Sequence, residues 1–123
     1  MKKTLVALAL ALLVAPAWVA ADQKTVEGEL VDSLCFLNMG AKGEGHKACG
    51  EKCATAGFPV GIVTADGKHY GILAPASAFK GVITATARVQ GNVDETNHTI
   101  VAMKVEVKKD GKWVEVKLPA MPM

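Results

Sequence analysis

Residues 28–61 read GELVDSLCFLNMGAKGEGHKACGEKCATAGFPVG and hold every cysteine in the chain. Upstream, residues 25–34 alternate. Val26, Gly28, Leu30 and Asp32 fall on one side, and Thr25, Glu27, Glu29, Val31 and Ser33 largely on the other. That period predicts a first strand that ends near Cys35, with Gly28 permitting a bend or bulge. Residues 36–45 carry Gly40, Gly43 and Gly45, so a loop is expected there, either a plain connector or one able to wrap its amides around a site. Residues 46–56 predict one helix, closed by Gly57 with Pro59 beyond. His46, Cys49 and Cys53 then share a stripe expected to face inward, since Lys47, Gly50, Glu51 and Lys52 fill the rest. Gly50 costs this helix about 1 kcal/mol relative to Ala, so something else must hold it.

Downstream the pattern is β. Residues 60–64 and 69–73 flank an Asp66-Gly67 turn and predict a hairpin. A short helical turn is expected over 75–80. A long strand over 82–93 should place Ile83, Ala85, Ala87 and Val89 inward. Another strand over 99–108 should bury Val101, Met103, Val105 and Val107. Asp110-Gly111 should turn it into a last strand, 113–118, with Val114, Val116 and Leu118 inward, and residues 119–123 are expected to be a frayed tail.

Residues 1–21 have the make-up of a Sec-type signal peptide. Lys2 and Lys3 precede an uncharged apolar run over 5–14, Pro16 breaks it, and Val19-Ala20-Ala21 supplies small residues for cleavage. The run is short of the ~20 residues a bilayer span needs, so no membrane anchor is expected after cleavage. Removing residues 1–21 from the 123-residue chain leaves 102, enough for a single domain over 22–123 and too few for two. Lys2 and Lys3 leave with the leader, which reduces 14 Lys and Arg to 12 against 12 Asp and Glu. A neutral domain has no field to steer it onto nucleic acid or anionic lipid, and neither is an expected partner. The expected location is the periplasm and the expected state a monomer.

About six short strands with one inserted helix after the first predict a mainly β fold, a small OB-like barrel. The chain resembles a family of small exported bacterial OB-like proteins. The resemblance rests on G-x-L-V-D-x-x-C at 28–35, H-x-x-C-x-x-x-C-x-x-x-G at 46–57 and G-V-x-x-x-x-x-V-x-G over 81–91. It implies fold and export and carries no activity with it. The loop with three glycines is richer in glycine than the family pattern.

Cys35, His46, Cys49 and Cys53 form a Cys3His set, the donor count of a closed tetrahedral zinc site, although thirteen residues separate Cys35 from Cys49. Copper competes, because thiolate, imidazole and thioether suit Cu(I) and Met39 is near in sequence. An iron–sulfur cluster ranks below both, since the leader lacks the paired arginines of the route that exports folded cofactor proteins. Asp32 is expected either to bond backbone amides in the turn before Cys35 or to orient a metal-bound His46 from behind. The leading expectation is a metal-binding protein, structural or carrier, with no catalytic residue. The second is a module stapled by a disulfide from Cys35 to Cys49 or Cys53, with one free thiol and a face for a periplasmic protein or small ligand; such a bridge is worth about 3 kcal/mol. A thiol-redox protein comes third, because no Cys-x-x-Cys exists. His69 and His98 are expected at the surface; Tyr70 and Trp113 could line an OB-type ligand face but are too few for a stacking platform for nucleic acid.

Overall fold

The computed structural model describes residues 23–120. The expected leader at 1–21 and the methionines Met121 and Met123 lie outside the described residues. Six strands form one sheet: β1 (Gln23–Asp32), β2 (Val60–Val63), β3 (His69–Leu73), β4 (Thr86–Asp94), β5 (Thr99–Lys109) and β6 (Lys112–Val116). The sheet order is β3-β2-β1-β4-β5-β6, and β3 also pairs in parallel with β5. That last pairing closes five strands into a barrel and leaves β6 as an extra strand on β5, an arrangement that fits a small OB-like barrel.

One barrel strand divides its length between its two neighbours. β1 does so: residues 23–29 pair with β4, and Glu29 to Asp32 pair with β2. The handover falls beside Gly28, where a methyl group would collide with the Val63 carbonyl. Gly91 has the same role on β4, against the Val101 carbonyl. Leu30, Ile62, Ile72, Phe79, Val89, Ile100 and Val105 fill the interior.

The phase of β5 differs from the simple alternation. Ile100 and Ala102 are buried, then Val105 and Val107, while Met103 is 56% exposed. Gln90 pairs with Lys104 but Gly91 with Ala102, so Met103 is an extra residue at a bulge. One inserted residue moves every earlier side chain to the opposite face. β4 is also shorter than expected. Residues 82–85 form a turn with Thr84 at φ 74, although Val82 and Ile83 are still buried. Val114 is exposed and only Val116 of β6 is buried, with Leu118 packed against the core.

Two helices, not one, sit between β1 and β2: α1 (Ser33–Met39) and α2 (Lys47–Thr55). A 3-10 turn, Glu44–His46, leads into α2, and another, Ala76–Phe79, precedes β4. No helix among the described residues is long and apolar enough to cross a membrane.

Candidate metal centre

Asp32 begins the site. It ends β1 and caps α1, its two carboxylate oxygens accepting hydrogen bonds from the amides of Leu34 (3.1 Å) and Cys35 (3.2 Å). The turn-capping role expected of Asp32 is therefore present. Gly40, left-handed at φ 68, closes α1 by donating to the Phe36 carbonyl. Cys35 thus stands in the first turn of a helix, where a strand end followed by loop was expected. The loop beyond is tied down as well. The Gly43 amide donates to Glu29 at 2.5 Å, and the Thr84 hydroxyl to Glu44 at 3.2 Å.

α2 supplies the other sulfurs. Its buried residues are Gly50 and Ala54, and a methyl on Gly50 would press on the Ile83 side chain. The inward stripe is therefore 50/54, with His46 one turn before Gly50, and the cysteines lie along its edge. Cys49 is exposed and Cys53 half-buried. This corrects the expected inward-facing cysteine stripe: Gly50 gives the closest approach to the barrel, so it takes the core side. Glu51 holds the helix there by accepting from the amides of Gly81 (2.7 Å) and Ile83 (3.0 Å). At the far end Gly57 donates to the Ala54 carbonyl and Phe58 to the Cys53 carbonyl, a Schellman closure that fixes the turn bearing Cys53.

The sulfurs of Cys35, Cys49 and Cys53 lie within 4.8 Å of one another, and all three thiols are free. Metal–sulfur bonds of ~2.3 Å in tetrahedral geometry separate sulfurs by ~3.8 Å, so a small contraction suffices to close on an ion. Asp32, Cys35 and His46 form a second group within the same limit. His46 falls in this second group and not in the first. Its ring is 14% exposed, and Nε2 is buried with no hydrogen-bond partner among the described residues, 3.8 Å from Asp32 Oδ2. This Cys/His/Asp assembly could hold a metal ion. Met39 is the last residue of α1 and 66% exposed.

At Cys35 and Cys53 the surroundings favour the protonated thiol. The Cys35 thiol is pushed up to about 12, first by donating to the Asp32 carboxylate, then by burial and by the Asp32 charge. Burial raises Cys53, and the Asp32 charge adds to it. Burial acts to raise Asp32 itself, but hydrogen bonds from the Cys35 and Cys53 thiols and from the Cys35 and Leu34 amides outweigh it and leave the carboxyl lowered. A bound cation would reverse this balance by taking thiolates and releasing protons.

The other expectations fare unevenly. His69 is partly buried, stacked on Phe36 at 5.5 Å and hydrogen-bonded to the Ser33 hydroxyl at 2.9 Å, while His98 is exposed. Burial lowers His69, with His98 adding to it. Tyr70 is a core residue whose hydroxyl donates to Glu95 at 2.9 Å, so it is not on a ligand face. Trp113 lies outside the barrel beneath the Arg88 guanidinium, 4.3 Å from the ring centre. The sequence reading missed the acidic straps Glu29, Glu44 and Glu51, whose spacing along the chain carries no sign of their distant amide partners. Neither a protein-family model, a curated protein nor a solved structure matches this chain.

Proposed function

We propose that this is an exported, periplasmic barrel protein of the small OB-like kind whose β1–β2 excursion binds a transition metal, zinc or copper, without catalysis. Cys35, Cys49 and Cys53 supply thiolates, and His46 the imidazole. The observation that carries the proposal is the convergence of three unbridged sulfurs from two helices on one point. Convergence of soft donors selects thiophilic cations over calcium or magnesium. The exposure of Cys49 favours a carrier over a sealed structural site, because a partner's ligand can reach the ion from solvent. Beside the site α1 also presents Leu34, Leu37 and Met39 to solvent, apolar area suited to a periplasmic protein partner.

Mass spectrometry of the mature protein, native and then denatured with thiol counting, tests the proposal. The expected result is a metal adduct that disappears on denaturation, three free thiols, and lower metal content in His46→Ala. A metal-free protein about two daltons lighter than the reduced mass, with one thiol, would instead establish a disulfide-stapled module.

A further inference from the structure

The metal-capable side chains form two triads that share one sulfur, not a single ring of four. Cys35 joins Cys49 and Cys53 on one side and Asp32 and His46 on the other, with ligand atoms within 4.8 Å in each triad. Resting on the metal-binding reading above, we propose a two-ion centre for zinc-like divalent cations, bridged by the Cys35 thiolate. The outer ion sits on Cys49 and Cys53, and the inner ion on Asp32 and His46.

Three observations support the inner position. His46 Nε2 and Asp32 Oδ2 are 3.8 Å apart, too far for a hydrogen bond. Two ligand atoms bonded at ~2.0–2.1 Å to one tetrahedral ion stand ~3.4 Å apart, so a cation fits this gap after slight closure. His46 Nε2 is buried and has no hydrogen-bond partner among the described residues. Each Asp32 oxygen accepts one backbone amide, which orients the carboxylate, and the lone pairs that accept from the Cys35 and Cys53 thiols are freed for a metal when those thiols give up their protons. This backbone anchoring is what an oriented ligand needs.

Charge points the same way. Three thiolates and the Asp32 carboxylate bring four negative charges, and Asp32 is 0% exposed. Two divalent ions balance these four charges, whereas one ion closed on the three sulfurs leaves the buried Asp32 carboxylate with only its backbone amide donors. A thiolate sulfur keeps lone pairs after its first metal bond, so Cys35 can serve both ions. Binding displaces the thiol protons of Cys35, Cys49 and Cys53 into solvent and changes no oxidation state. The two positions also differ in access: the outer one contains exposed Cys49, and the inner one contains buried Asp32.

The test is a titration of zinc alone into the reduced protein without oxygen, read by native mass spectrometry, with His46→Gln and Cys49→Ser alongside and their far-UV circular dichroism compared with wild type. The expected result is two zinc ions per wild-type chain and one in each variant. Saturation of wild type at one ion overturns the two-ion centre and leaves the metal-binding proposal standing. Two ions retained by a folded His46→Gln overturn it as well, because the second ion then lies elsewhere. No zinc bound at all overturns the two-ion centre and the zinc form of the metal-binding proposal, and leaves its copper form to the mass spectrometry described above.

Discussion

The barrel and the excursion between β1 and β2 are built by different means. In the barrel, ladders of backbone hydrogen bonds enclose fully buried residues such as Leu30, Ile62, Phe79, Val89 and Ile100. In the excursion, Ala54 is the one side chain in the hydrophobic core, and carboxylates do most of the fastening. Asp32 caps α1, Glu29 holds the glycine loop, Glu44 reaches Thr84, and Glu51 grips the 81–83 turn. A region held by a few polar straps opens at lower free energy than a packed sheet. The candidate metal centre is therefore on the softer part of the molecule, where a bound ion would add the cross-link that packing does not provide.

Substitutions should separate the two regions, beginning with the core. Phe79→Ala removes a fully buried ring and should cost about 3–5 kcal/mol, read as a lower denaturant midpoint for the whole molecule. Asp32→Ala should cost less globally, about 1–2 kcal/mol for the lost cap, and more locally. The amides of Leu34 and Cys35 should exchange faster with solvent while β4 and β5 amides keep their protection. If β4 and β5 loosen as much as α1, the separation into two regions is wrong. Glu51→Ala deprives the Gly81 and Ile83 amides of their acceptor and should cost about 1 kcal/mol, with faster exchange confined to α2 and the 81–83 turn.

The smallest effect belongs to the barrel surface. Arg88 donates to Glu106 at 2.9 and 3.2 Å and holds its carboxyl below the ordinary value of 4.5. The folded value is depressed, so the stabilisation is fully present above the unfolded value and is lost as pH falls through the folded one. The midpoint difference between wild type and Glu106→Gln should thus be constant near neutrality, begin to shrink as pH falls past about 4.5, and vanish only below the depressed folded value. A difference that grows on acidification would contradict the pairing.

How much of this was legible in the sequence follows the same division. β3, most of β4 and β5 on either side of its bulge obey period two, and the Asp-Gly turn at 66–67 and the helix stop at Gly57 carry local signals, so the hairpin and the end of α2 come out correctly. The bulge at Met103 does not, because an inserted residue is defined by its partner strand. α1 escaped for a different reason. Its signals are present, Asp32 before it and Gly40 after it, but the alternation of β1 runs on through Ser33 and Leu34 and hides the change of period. The three cysteines were legible as a set. The approach of His46 to Asp32 was legible only as one of two readings of Asp32, because it depends on Gly50 placing the His46 side of α2 against the barrel.

Amide hydrogen exchange on the reduced protein, with and without zinc, measures the central claim most directly. The account predicts that zinc slows exchange across α1 and α2, through the turn bearing Cys53, and leaves the β4 and β5 amides unchanged. Exchange that is the same with and without zinc, or slowed equally in barrel and excursion, would contradict it.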